Sequence, residues 1–238
     1  MRDMVIQSRF SADPIRLVLL LLSGFLMFIS LWLIFMWAPM EQVMGQVQRI
    51  FYFHVPIAWV GFLAFSVVFF SSILYLWKGE RHWDALGHSA AEIGVLFTTL
   101  MVISGAVWAK PVWGVWWTWD PRLTTSLILW LLYAGYLMLR AYSPTHVQAA
   151  RYSAVLGIIA FVDVPIVYFA VSWWRNIHPE MVIGPLAESE ALEGSMVTTL
   201  LVSLAAFTVL FGYMLLERFS LRNMEDTLSS IKSQKGGV

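Results

Sequence analysis

The segment at 113–120, WGVWWTWD, places Trp113, Trp116, Trp117 and Trp119 within seven residues and ends on a carboxylate, Asp120. Indoles gather at membrane interfaces because an amphipathic ring rests well at headgroup level, and that accounts for Trp37, Trp59, Trp77, Trp83 and Trp130. Four in one short stretch point further, to a platform for a large planar apolar ligand. Gly114 lets such a body approach the backbone, and ring stacking adds about 0.5–1.5 kcal/mol beyond burial. Two histidines flank the platform in the chain: His54, in QRIFYFHVP, and His178, in WWRNIHP. Each alone reads as an interfacial histidine bonded to backbone. Two around an aromatic platform favour metal ligation, since neutral imidazole is a common ligand for iron.

Basic residues accompany the same three segments. Arg49 lies five residues before His54, Arg175 three before His178, and Lys110 and Arg122 bracket the tryptophans. Lipid phosphate is the ordinary partner of such residues, whereas arginine also clamps carboxylates through paired hydrogen bonds. A planar apolar macrocycle with a metal centre and two carboxylates is haem. Asp120 followed by Pro121 reads as a helix N-cap with proline at the first helical position, which would fix how the tryptophan strip enters the membrane.

Positioning these groups falls to membrane-spanning helices. Of 238 residues, 59% are hydrophobic and 13% charged, with a mean hydropathy of +0.72, which fits no soluble class. A span takes about 20 apolar residues. Six stretches are long enough or nearly so, at about 17–37, 55–77, 93–109, 123–139, 152–174 and 196–216, the third and fourth being short. The expected fold is all-α, one polytopic domain over 1–238 with six transmembrane helices, no internal repeat, and the tryptophan segment at about 110–124. The first stretch exceeds a signal-peptide core and lacks a clear cleavage site, so it reads as an uncleaved helix. Lys and Arg number eleven on the side of the termini and four on the other. The positive-inside rule therefore places both termini in the cytoplasm and the tryptophan segment outside. His82, His88 and His146 fall in cytoplasmic loops on this reading.

The remaining charges exclude some chemistry. No net charge means no global field for nucleic acid, and no cysteine means no disulfide, thiolate site or Cys nucleophile. Asp163, two residues before Pro165 in the fifth span, reads as part of a proline kink, although intramembrane carboxylates default to function. Glu92 reads as solvated near the cytoplasmic surface. Glu180, Glu188, Glu190 and Glu193 form a solvated face or a docking surface for a basic partner.

WGVWWTWDPRLT resembles the tryptophan-rich WWD signature of haem-handling membrane proteins. Together with QRIFYFHVP, DVPIVYF and WWRNIHP, from about Gln48 to Pro179, the chain resembles the haem exporter protein C (CcmC) family of cytochrome c maturation. The resemblance implies a bacterial inner-membrane protein that holds haem b at the periplasmic face and loads it onto a periplasmic haem chaperone, CcmE. It implies work beside the ABC transporter subunits CcmA and CcmB and the small membrane protein CcmD within the lipid bilayer. It implies a delivery factor rather than an enzyme. The family's axial ligands fall on His54 and His178 and its platform on Trp113, Gly114, Trp116, Trp117, Trp119 and Asp120. Arg122, Arg49 and Arg175 are then the candidates for the propionates, with one vinyl left accessible to the chaperone's histidine. ATP hydrolysis would come from the ABC partner, as the chain has no P-loop.

Two rivals differ in class. A bis-histidine electron-transfer cytochrome b would bury both ligands between spans, whereas these histidines lie at helix ends or in loops. A permease for haem or another hydrophobic substrate would need coupling charges in the membrane, for which Asp163 alone is thin support.

Overall fold

The computed structural model describes residues 14–174 and 192–235. Helix α1 spans Pro14–Trp32 and runs on as a π-helical turn, Leu33–Trp37. A 3-10 turn, Gln46–Ile50, leads into α2, Phe51–Lys78. Then come α3, Arg81–Trp113; α4, Pro121–Tyr142; α5, His146–Phe161; α6, Asp163–Trp173; and α7, Gly194–Lys235. With α5 and α6 forming one broken span, six stretches are long and apolar enough to cross a bilayer. Much of their surface is exposed leucine and phenylalanine, as on α1 at Leu21, Phe25 and Phe28, which suits lipid contact rather than a soluble core.

Lipid is as apolar as the side chains it would replace, so helices in a bilayer associate through close packing and shared hydrogen bonds. The α2–α3 contact shows the first. A Cβ on Gly94 would lie 2.4 Å from Phe65 Cε1, and one on Gly61 would lie 2.9 Å from Thr98 Cγ2. Phe65 in turn stacks on Tyr133 of α4, with centroids 3.6 Å apart and planes 5° from parallel. The α1–α7 contact shows the second, through a buried hydroxyl pair, Ser30 Oγ to Ser203 Oγ at 2.8 Å.

Helix α3 runs well past the expected short third span. Its charged start interrupts the apolar run without ending the helix, because each carboxylate has a cation. Asp84 takes a bidentate pair from Arg140 of α4 at 2.6 and 2.9 Å. Glu92 is not simply solvated as expected: Arg218 and Arg222 of α7 both donate to it. Nor does His88 lie in a loop. It sits on α3, with Nε2 3.1 Å from Arg222 and 3.4 Å from Glu92. Arg140 keeps only 11% of its side chain exposed and Asp84 22%. Removing one partner of such a pair strands the other charge. Arg140→Ala should therefore destabilise the folded chain by about 3 kcal/mol, read as a lowered thermal midpoint in detergent, with Asp84→Asn/Arg140→Met recovering much of the loss.

The fifth span breaks where the sequence places its proline. Pro165 cannot donate to the carbonyl four residues back, at Phe161, and α5 ends there; α6 restarts at Asp163 after a turn at Val162. Asp163 is buried and its Oδ2 has no hydrogen-bond partner among the described residues.

Candidate functional site

Three pieces of chain meet at the end of the bundle that carries the tryptophan segment. Helix α3 ends at Trp113, and Gly114, at φ 77°, adopts the left-handed conformation that closes a helix, its N–H bonded to the Lys110 carbonyl. The chain then bends through Val115 and Trp116 and runs without regular structure from Trp117 to Asp120. Asp120 caps α4 as its sequence predicts: the carboxylate accepts from the N–H groups of Arg122 at 3.0 Å and Leu123 at 3.2 Å, and from Thr118 Oγ1 at 2.7 Å. Its charge is thereby committed to the helix start.

The turn at Gly114 splits the four indoles. Trp113 and Trp117 line an open cleft that reaches between α2, α3, α4 and α6. Trp116 and Trp119 stay outside it, 58% and 75% exposed. Trp117 meets Trp119 edge to face at 5.9 Å, while Lys110 donates to the Gly114 carbonyl at 2.8 Å and lies over Trp116. The segment is thus two inward rings and two outward ones rather than one flat platform. Trp113→Ala and Trp117→Ala should mainly weaken ligand retention. Trp116→Ala and Trp119→Ala should leave retention near normal and lower transfer to a partner, which retention and transfer assays on one set of variants would separate.

The cleft is walled by apolar groups such as Phe62, Met101, Val112 and Val167. Its charged and titratable members are His54 and Arg122. His54 lies in the first turn of α2. Its Nδ1 is 2.9 Å from Ser104 Oγ, its ring lies 5.8 Å from that of Trp108, and Nε2 makes no hydrogen bond among the described residues. The Arg122 guanidinium likewise forms no hydrogen bond and no ion pair with any described residue, since Asp120 is spent on the helix cap. It is near enough to act electrostatically on His54. Asp120 acts on the guanidinium electrostatically without bonding to it, so a ligand carboxylate could still give this partly buried cation a direct partner, and the positive end of the α4 dipole adds to the attraction. Trp117 Nε1 is a further buried donor without an acceptor among the described residues.

The other sequence candidates stand elsewhere. Arg49 donates to the Phe35 carbonyl at 3.0 Å and covers the Phe35 ring, so it ties the π-helical end of α1 to the start of α2 and does not line the cleft. His178 and Arg175 lie outside the described residues, as do Glu180, Glu188 and Glu190. Among the described residues no three His, Cys, Asp or Glu side chains group to hold a bare metal ion. The sequence reading passed over Met44, Ser104, Gly105 and Trp108, all at or against this cleft. The available signal was the SGAVW spacing on α3, where Ser104, Gly105 and Trp108 share one helix face.

Fold and cleft together define a multi-pass helical membrane protein with an apolar cleft near one end of its bundle. The family profile described as heme exporter protein C matches residues 7–234. The chain is similar to heme exporter protein C of Bradyrhizobium diazoefficiens, 36% identical over 73% of this chain and 66% of that protein. It is also similar to those of Haemophilus influenzae, 34% identical over 79% and 76% of the two chains, and of Escherichia coli K12, 32% identical over 80% and 75%. The chain belongs to the heme exporter protein C family.

Proposed function

We propose that the chain holds haem b in the tryptophan-walled cleft, at the periplasmic face of the bacterial inner membrane, and passes it to the periplasmic chaperone CcmE for c-type cytochrome assembly. The observation that carries this reading is a pairing within one apolar cleft: an imidazole Nε2 and a guanidinium that make no hydrogen bond among the described residues, beside two inward indoles. Iron, propionate and the porphyrin face answer those three features in turn.

His54 supplies one axial ligand, and His178, from the connection that follows α6, supplies the other. Arg122 binds a propionate. Arg49 keeps only a weaker claim to that role because its guanidinium already serves Phe35, and Arg175 remains a candidate. Trp116 and Trp119 form an exposed lip at which the chaperone meets the porphyrin edge. Membership of a family named for haem export supports the cargo, and the Lys and Arg distribution supports cytoplasmic termini. The ABC subunits CcmA and CcmB and the small protein CcmD are the proposed partners that release the loaded chaperone. The chain acts as a delivery factor.

Purification with the chaperone and ABC subunits present or absent, with haem quantified in each fraction, tests the assignment. Haem should stay with this chain when the chaperone is missing and move to the chaperone when it is supplied. A chain that never carries haem under either condition would end the proposal.

A further inference from the structure

Ser104 stands where its single hydroxyl proton can be assigned. Its Oγ lies 3.2 Å from the Met101 carbonyl, one helical turn back, and 2.9 Å from His54 Nδ1. A carbonyl can only accept, whereas a neutral imidazole nitrogen either donates or accepts according to tautomer. Two arrangements follow. In one, the hydroxyl donates to Nδ1; the imidazole proton then sits on Nε2, where no described residue accepts it. In the other, Nδ1–H donates to Oγ and the hydroxyl donates to Met101. Every polar hydrogen then has an acceptor, and Nε2 keeps an electron pair. The second arrangement alone leaves no donor facing the apolar cleft without an acceptor among the described residues, and it is favoured for that reason.

The rest of the α3 face holds the ring in place. A Cβ on Gly105 would come within 3.2 Å of His54 Cε1, so the imidazole lies almost on the α3 backbone, with Trp108 beside it. We infer that Ser104 is a positioning residue, which fixes His54 in the Nδ1–H tautomer and leaves Nε2 as the free electron donor of the cleft. The inference rests on the haem reading only for what takes that electron pair. A hydrogen bond from the far nitrogen both orients a ligating imidazole and raises its basicity, and losing such a partner typically costs about 10–100-fold in affinity for the metal.

The test has a haem-free arm and a haem arm. In the first, the full-length apo-protein, labelled with 15N-histidine and held in lipid nanodiscs, is assigned against His54→Gln. The wild type should show Nδ1 protonated and Nε2 bare. Ser104→Ala should lose that preference, and Ser104→Thr, whose hydroxyl can make the same two bonds, should keep it. In the second, haem affinity and the haem midpoint potential are measured on the same variants. Ser104→Ala should bind about 10–100-fold more weakly with a shifted potential, and threonine should restore both. A wild type protonated at Nε2, or a Ser104→Ala protein unchanged in tautomer, affinity and potential, overturns the inference while leaving the haem proposal standing. A wild type with bare Nε2 that binds no haem supports the tautomer assignment and removes the haem proposal instead.

Discussion

An His54→Ala chain should insert and accumulate like the wild type yet yield no c-type cytochrome. His54 lies in the first turn of α2, its side chain borders the cleft, and among the described residues its ring bonds to Ser104 alone. Removing it leaves neither a stranded charge nor a large void among the tightly packed residues around Phe65 and Tyr133. The loss therefore falls on the ligand. Removing a group behind a metal ligand typically costs about 10–100-fold in affinity, and removing the ligand itself should cost more. Haem retained per mole of purified chain, beside the membrane level of the chain, checks this. Normal retention would take His54 out of the ligand set.

The second large effect concerns Arg122 and has opposite signs in two measurements. A charge-assisted hydrogen bond to a propionate contributes about 1.5–3 kcal/mol, so Arg122→Met should weaken haem binding roughly tenfold to a hundredfold. Lysine should recover only part, because it cannot reproduce a bidentate clamp. In the apo-protein the same guanidinium has no hydrogen-bonded anion among the described residues, Asp120 acting on it only electrostatically. Its replacement by methionine should hold or raise the thermal midpoint, as expected where a site keeps an unfavourable charge for its ligand. A haem analogue with esterified propionates closes the cycle: esterification should cost the wild type affinity and cost Arg122→Met little. Equal losses in both would move the clamp to Arg175 or Lys110. A structural role for Arg122 would instead appear as a destabilised apo-protein.

The contrast between Arg122 and Arg49 shows what the sequence can and cannot say. Both are basic residues set against the positive-inside pattern, and nothing in their neighbours tells them apart. Arg49 is occupied because the π-helical end of α1 offers the Phe35 carbonyl. The Arg122 guanidinium bonds to no described residue because Thr118 and two backbone N–H groups claim Asp120. Such competition among partners is tertiary information. Local signals fared better. Apolar length found all six spans, Asp-Pro found the cap of α4, and Pro165 found the break between α5 and α6. The start of α3 was misjudged because the cations that make Asp84 and Glu92 tolerable, Arg140, Arg218 and Arg222, lie on other helices far along the chain. The tryptophan segment was legible as unusual, but its division into inward and outward rings depends on the left-handed turn at Gly114.

The most direct test is a haem titration of the purified apo-protein in lipid nanodiscs, followed together by the Soret band and by tryptophan fluorescence. Saturable binding at one haem per chain should give an imidazole-ligated spectrum that is lost in His54→Ala, with fluorescence quenching that diminishes in Trp117→Ala. Saturable binding with the same spectrum and the same quenching in both variants would place haem elsewhere and contradict the cleft as its site.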